Sequence, residues 1–162
     1  NLLLYLSLRF LHLRLNATLQ NYPELKYLFE QENDPMELEL QKDFFNFMVA
    51  NCIDTNVELE KSDVSSGRVD VYFKFDRFSI CSEIKRELSD SSIEAIETNY
   101  INQAAEYSNS DIKMGFLLVL DLTSKEKGNK SMENYVAIKQ AKEDRHIVII
   151  IIPGKRKRPS EL

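Results

Sequence analysis

The segment that indicates the fold most clearly is residues 67–85, with the sequence GRVDVYFKFDRFSICSEIK. Both halves of this stretch are rich in Val, Ile, Phe and Tyr, which are typical of β-strands, and Asp76-Arg77 lies between the two halves. The pattern therefore predicts a hairpin, in which two short strands are joined by a tight turn at Asp76-Arg77.

The polar side chains of this hairpin are expected to share one face. Successive side chains of a strand point to opposite faces, so Glu83 and Lys85 project to the same side while Ile84 points toward a core. Asp70 lies on the first strand between two valines, which must be buried on the face opposite to it. The hairpin can therefore bring an aspartate, a glutamate and a lysine together on a single face.

Such a group has the composition of a metal site. Two carboxylates, Asp70 and Glu83, and the neighbouring backbone carbonyl of Ile84 provide the oxygen ligands that Mg²⁺ prefers. A metal bound in this way lowers the pKa of a bound water and neutralises charge on a phosphoryl oxygen. Lys85 beside it can hold the attacking hydroxide and stabilise the negative charge of the transition state.

The same residues carry a resemblance to a known family. Asp70 followed by Glu83-Ile84-Lys85 resembles the D…(D/E)xK signature of the PD-(D/E)XK nuclease superfamily. Gln103 and Tyr107, four residues apart on one face of a predicted helix, resemble the QxxxY motif of its RecB-like branch. The resemblance implies that Asp70, Glu83 and Ile84 hold Mg²⁺ or Mn²⁺ and that Lys85 positions or activates water. It also implies that Gln103 and Tyr107 orient the active site and the nucleic-acid backbone.

The predicted order of elements matches the fold of that superfamily. A helix, strands, a second helix and two further buried strands follow one another along the chain, as in its αβββαβ core. The fold class is therefore expected to be α/β, with a restriction-endonuclease-like core, a central mixed sheet flanked by helices, and an N-terminal helical extension. The predicted divisions are the helical extension at 1–34, the nuclease-like domain at 35–152 and a basic tail at 153–162.

One more acidic residue is a candidate for the site. Asp34 and Pro35 predict the start of a helix that runs to about Asn51, with Glu37 at the position of a capping-box glutamate. Families similar to this one often direct an acidic residue of the first helix at the metal. Glu37 is the first candidate because it shares the apolar face of the helix, and Glu39 is the second. The alternative is that Glu37 only caps its helix.

Two other segments give predictions that a structure can test. The leucine-dense N-terminus predicts a helix whose apolar stripe contains Leu4, Leu8, Leu11 and Leu15. Charged residues interrupt this apolar run well before the roughly 20 residues that a membrane span needs, so no membrane contact is expected. Residues 86–92 are polar and charged, which predicts a loop beside the site.

The charge of the chain is unevenly distributed. A net charge of −5 over 162 residues is unfavourable for a protein that coats nucleic acid without specificity. The basic run Lys155, Arg156, Lys157 and Arg158 can bind phosphates with release of counterions, which would offset this. The alternative is that the run is a solvated end or a linker to another domain.

These observations predict a Mg²⁺-dependent deoxyribonuclease domain. Two cysteines are too few for a disulfide framework, which favours a reducing cytoplasm. The missing initiator Met suggests a piece of a longer protein, and the resemblance implies an effector module with a defence or restriction role. It also implies that cleavage leaves a 5′-phosphate and a 3′-hydroxyl. DNA is favoured over RNA, and a homodimer would allow both strands to be cut together.

Two alternatives stay open. The first is a nuclease-fold domain that binds nucleic acid or a protein partner without cutting. The second is an ordinary α/β scaffold in which Asp70, Glu83 and Lys85 form only surface ion pairs, which are common and contribute little to stability.

Overall fold

The computed structural model describes residues 2–52, 55–64, 67–106, 112–123 and 131–156. Three α-helices and six β-strands follow one another as α1 (Leu2–Asn16), α2 (Glu37–Asn51), β1 (Asn56–Val64), β2 (Gly67–Lys74), β3 (Ser79–Glu87), α3 (Ile93–Glu106), β4 (Met114–Asp121), β5 (Val136–Ala141) and β6 (Arg145–Pro153). Short 3₁₀-helices lie at Pro23–Leu28, Met132–Tyr135 and Lys142–Asp144.

The strands form one mixed sheet in the order β1-β2-β3-β4-β6-β5. β1, β2 and β3 are antiparallel neighbours, β3, β4 and β6 are parallel, and β5 is antiparallel to β6. The expected α/β class with a mixed sheet flanked by helices is thus confirmed. β4 is buried along almost its whole length, as the continuous apolar run predicts for a strand with neighbours on both edges.

The predicted hairpin forms, and its two sides face different helices. The ring of Phe44 on α2 lies edge-on to Phe73 of β2, with 6.2 Å between centroids. Phe73 pairs with Ile80 across the hairpin, and Ile80 and Glu83 point to opposite faces because they are three positions apart on the strand. Glu83 contacts Gln103 of α3. Helices α2 and α3 therefore cover opposite faces of the sheet.

Helix α1 forms as predicted, but its buried side differs from the predicted one. Leu11 is buried, whereas Leu4, Leu8 and Leu15 are only partly buried. The ring of Phe10 packs edge-on against a phenylalanine of α2, with 5.1 Å between centroids, and this large side chain sets the rotation of the helix. Neither α1 nor any other helix in the described part of the chain combines the length and the apolar character that a membrane crossing requires. The buried side of α1 consists of Leu3, Leu6, Ser7, Phe10 and Leu11.

Helix α2 begins two residues later than predicted, and a different glutamate caps it. The N-cap residue is Met36, whose backbone N–H donates to the Glu39 carboxylate at 2.6 Å. Asp34 is instead paired with the ammonium of Lys155 at 2.7 Å. The interpretation that Glu37 only caps its helix is therefore wrong, because Glu39 performs that role and Glu37 faces elsewhere.

The loop predicted at 86–92 is shorter than expected, since β3 continues to Glu87. The Glu87 carboxylate accepts hydrogen bonds from the backbone N–H groups of the three residues that follow it, at 2.8 to 3.3 Å. A charged side chain is tolerated at this buried strand end because the chain reversal itself supplies its donors. The polar composition of the segment therefore reflects this turn rather than a loop that starts at Arg86.

Candidate functional site

The site lies where β2 and β3 stop pairing. The two strands are in register from Lys74↔Ser79 as far as Val71↔Ser82. From Ser82 onward β3 pairs in parallel with β4 up to Glu87↔Asp121. Beyond Ser82, the edge of β3 that faced β2 no longer has β2 as a neighbour. The backbone N–H groups on this edge therefore need other hydrogen-bond acceptors.

Carboxylates from two different elements supply these acceptors. Asp70 Oδ2 accepts a hydrogen bond from the backbone N–H of Ile84 at 2.7 Å. Glu37 Oε1 accepts one from the backbone N–H of Arg86 at 3.3 Å. The backbone of Asp70 is held in turn by Gln41 of α2, whose side-chain amide donates to the Asp70 carbonyl at 3.0 Å. Two acidic side chains therefore line the open edge of β3, as the alternation along the hairpin and the face of α2 predict.

Glu83 forms the centre of the group. Its Oε1 atom accepts hydrogen bonds from Lys85 Nζ at 2.6 Å and from Gln103 Nε2 at 2.9 Å. Only 4% of the Glu83 residue surface is exposed. Its other oxygen, Oε2, is buried and receives no hydrogen bond from the described part of the chain. A buried carboxylate oxygen without a donor is rare in folded proteins and is typical of a place where an ion or a ligand binds.

The side chains around Glu83 carry more negative than positive charge. Burial, and next the charge of Asp70, raise the pKa of Glu83 to about 7, although Lys85 opposes the shift and Glu37 adds to it. Burial alone would lower the pKa of Lys85, but the hydrogen bond to Glu83 and the nearby carboxylates outweigh it and raise that pKa. Three carboxylates and one ammonium thus share a poorly solvated site, and an additional cation would relieve their repulsion.

The candidate ligands are of the types that bind a magnesium ion together with several waters. Within the described ranges, no group of three or more His, Cys, Asp or Glu side chains is arranged to hold a metal ion. The candidate ligands are instead two carboxylates, Asp70 and Glu83, together with the Ile84 carbonyl, and Mg²⁺ is usually bound through one or two carboxylates and waters. The buried Oε2 atom of Glu83 is the observation in favour of the fit.

Helix α3 makes a second contact with β3 that sequence reasoning missed. Tyr100 lies one turn before Gln103, and its hydroxyl donates to Glu87 Oε2 at 3.0 Å. Burial, and next the hydrogen bond to Glu87, raise the pKa of Tyr100 to about 12. The signal in the sequence is the three-residue spacing, which puts Tyr100 and Gln103 on one helix face. The predicted site residue Tyr107 lies outside the described residues.

Most of the basic tail is either tied to the fold or not described. Lys155 is paired with Asp34, and the guanidinium of Arg156 donates to the last carbonyls of α1 at 2.5 and 2.8 Å. Lys157 and Arg158 lie outside the described residues. A role of these four residues in nucleic-acid binding stays a prediction, and the described contacts of Lys155 and Arg156 are structural ones.

The chain matches no protein-family model, no curated protein and no solved structure. The resemblance to the PD-(D/E)XK nucleases therefore stays a prediction that rests on the residues and on the arrangement described above.

Proposed function

We propose that this chain is a nuclease domain that hydrolyses phosphodiester bonds of DNA with the help of Mg²⁺ or Mn²⁺. The observation that supports the proposal is the convergence of Asp70, Glu83 and Lys85 where β2 and β3 separate. These residues have the types and the order of the PD-(D/E)XK signature, and Gln103 contacts Glu83 directly. On this proposal the sheet and its flanking helices correspond to a restriction-endonuclease-like core.

The metal ligands would be Asp70, Glu83 and the carbonyl of Ile84. When bound, the ion supplies a water of lowered pKa and neutralises charge on a phosphoryl oxygen. Gln103 and Lys85 both donate to Glu83 Oε1, which fixes the carboxylate and leaves Oε2 without a donor from the described residues. The orientation of Glu83 is thus set before any ligand binds, which reduces the cost of ordering the site.

Lys85 and Glu37 have supporting roles in this proposal. The ammonium of Lys85 lies within hydrogen-bond distance of a metal-binding carboxylate, so it can hold the attacking water and stabilise the negative charge that develops on the phosphoryl group. Glu37 adds negative charge that acts on Glu83 and Lys85, and its carboxylate is anchored to β3. Glu37 would therefore strengthen cation binding without being a required ligand.

The test is cleavage of supercoiled plasmid, single-stranded DNA and RNA by the wild type and by Lys85→Ala, with Mg²⁺, with Mn²⁺ or with EDTA. We expect metal-dependent nicking of DNA that falls at least about 100-fold in Lys85→Ala, since such a group stabilises transition-state charge. Lys113→Ala is the matched control, because Lys113, just before β4, is exposed and within the described residues its side chain makes one contact, a 3.5 Å ion pair with Asp144. Failure of the wild-type protein both to bind metal and to cut any of these substrates would overturn the proposal.

The second candidate is a domain of the same fold that binds nucleic acid or a protein partner without cutting. The 2.6 Å pair between Lys85 and Glu83 favours it, since this pair partly neutralises the site without a metal. A shift of labelled DNA in a gel, unaffected by metal and without cleavage, would support this candidate over the first.

A further inference from the structure

Arg86 lies beside the site and has no carboxylate partner among the described residues. It follows Lys85 on β3 and therefore points to the opposite face, toward the start of α2. Its Nη1 atom lies 3.4 Å from the Pro35 carbonyl and 3.4 Å from the sulfur of Met36, and both contacts are long. Within the described residues its guanidinium forms no ion pair, and the side chain is only half-buried.

Three other cations of the described chain are already engaged. Lys85 is bound to Glu83, Lys155 is paired with Asp34, and Arg156 donates to carbonyls at the end of α1. Compared with these three, Arg86 has the most unused donor capacity within the described residues. Arginine has five N–H donors, and only Nη1 of Arg86 has a described contact.

The acidic residues next to this guanidinium are used elsewhere. The first turn of α2 carries Glu37 and Glu39. Glu37 accepts a hydrogen bond from the backbone N–H of Arg86, and Glu39 accepts one from the backbone N–H of Met36. Within the described residues the guanidinium therefore forms no direct ion pair and keeps donors for an external anion.

We propose that Arg86 binds a phosphate of the nucleic-acid substrate that flanks the phosphate to be cut. A planar guanidinium matches two phosphate oxygens, and the backbone of Arg86 is anchored next to the carboxylates at the open edge of β3. The net charge of −5 and the acidic group repel a polyanion, so a local cation is needed to hold the substrate there. This inference rests on the proposed nuclease function.

The experiment measures steady-state cleavage of a labelled single-stranded DNA by Arg86→Ala, Arg86→Gln, Arg86→Lys and the wild type over a range of salt concentrations. We expect KM to rise about tenfold in Arg86→Ala, with kcat within about threefold of the wild type, because one charge-assisted contact to a remote phosphate is lost. The slope of log KM against log salt is expected to fall by about 1. Arg86→Lys should recover part of the salt dependence, since it retains the charge without the planar fork.

Arg9→Ala is the matched control. Arg9 also makes one 3.4 Å hydrogen bond, to Asn51 at the far end of α2, which is ~21 Å from the start of that helix at 1.5 Å per residue. The KM of Arg9→Ala, and the slope of log KM against log salt for this variant, should equal those of the wild type. Arg86→Gln keeps a donor for Pro35 and serves if Arg86→Ala does not fold.

The two proposals fail in different ways. If the wild type cuts DNA and neither Arg86→Ala nor Arg86→Gln changes KM or the salt slope, the role of Arg86 is refuted and the nuclease function stands. The role of Arg86 is equally refuted if only kcat falls. If the wild type neither binds nor cuts DNA, the nuclease function is refuted and the role of Arg86 with it.

Discussion

Glu83 and Glu87 lie on the same face of β3 and are almost equally buried, at 4% and 5% exposure, yet their surroundings are opposite. The Glu87 carboxylate accepts from three backbone N–H groups, from the Ser89 hydroxyl and from the Tyr100 hydroxyl. Glu83 accepts two hydrogen bonds on one oxygen and none from the described residues on the other. Burial alone therefore does not distinguish a structural acid from a candidate ligand, whereas the count of donors does.

The pKa values of the two acids express the same difference. For Glu87, burial would raise the pKa, but the hydrogen bonds led by those of Ser89 outweigh it and lower the pKa to about 2. For Glu83, burial and the charge of Asp70 prevail and raise the pKa to about 7. Glu87 is thus an anion at neutral pH that holds the turn after β3, and Glu83 is an acid whose ion pair with Lys85 does not offset its burial and the charge of Asp70.

The largest expected effect separates the two acids by activity. Glu83→Gln should lower metal-dependent DNA cleavage at least about 1000-fold, because the loss of a metal ligand removes several kcal/mol of transition-state stabilisation. Glu87→Gln should cut at close to the wild-type rate at a temperature where it is folded. Rates of plasmid nicking measure both activities. If the two variants cut equally well, Glu83 does not differ from Glu87 in its role.

The same two substitutions should affect stability in the opposite order, with the larger loss at Glu87. Glu87→Gln is expected to lower the free energy of unfolding by about 3 kcal/mol, because the hydrogen bonds that its carboxylate accepts on Oε1 are charge-assisted and become neutral ones on an amide oxygen. Glu83→Gln should be neutral or stabilising in the absence of metal, since it removes a buried charge that has too few donors. Urea unfolding monitored by circular dichroism in EDTA measures both values, and a larger loss in Glu83→Gln would contradict the assignment.

The pH dependence of stability should have opposite signs for the two acids. The pKa of Glu83 is raised from 4.5 to about 7 in the folded state, so the folded protein holds a proton that the unfolded chain releases, and stability falls as pH rises from about 4.5 to 7. The pKa of Glu87 is lowered to about 2, so its contribution is present above pH 4.5 and is lost as pH falls toward 2. Each shift corresponds to about 3 kcal/mol at 1.36 kcal/mol per pKa unit.

Urea titrations of the metal-free wild type, Glu83→Gln and Glu87→Gln between pH 3 and pH 8 check these signs. The decline above pH 4.5 should be weaker in Glu83→Gln and retained in Glu87→Gln. If the free energy of unfolding of Glu83→Gln declines as much as that of the wild type, the decline comes from the titration of another group.

The smallest effect concerns the contact from α3. Tyr100→Phe removes one hydrogen bond to Glu87, which still has its backbone donors, so a loss of about 1 kcal/mol in the free energy of unfolding is expected. Cleavage should be unaffected. Thermal unfolding measures the change, and a large loss of activity in a folded Tyr100→Phe protein would show that Tyr100 belongs to the site.

Much of the fold is predictable from the sequence because its signals are local. The alternation in residues 67–85 predicts the hairpin, and the continuous apolar runs predict β4 and β6 as interior strands. The buried side of α1 is not predictable in the same way, because the packing of Phe10 on rings of α2 sets the helix rotation. The sequence predicts Glu37 at the capping-box position because it lies three residues after Asp34, a good N-cap, whereas the observed N-cap is Met36, an unusual one that puts Glu39 at this position.

The residues of the candidate site also differ in how far the sequence predicts them. Asp70, Glu83 and Lys85 follow from strand alternation and from one hairpin, so the sequence is sufficient to bring them together. The contacts of Gln41 and Tyr100 depend on how α2 and α3 dock on the sheet, and for Tyr100 the sequence offers only the helix face that it shares with Gln103. Arg86 and Glu87 are predicted as loop residues because their contacts come from Pro35, far away in the sequence, and from the turn after β3.

Calorimetric titration of Mn²⁺ into the wild type, Glu83→Gln and Glu87→Gln tests whether Glu83 is a metal ligand. We expect Mn²⁺ to bind the wild type and Glu87→Gln, and to raise their thermal stability as its concentration increases, and we expect no binding to Glu83→Gln. Equal binding to Glu83→Gln and to the wild type, or no binding to any of the three proteins, would contradict this expectation.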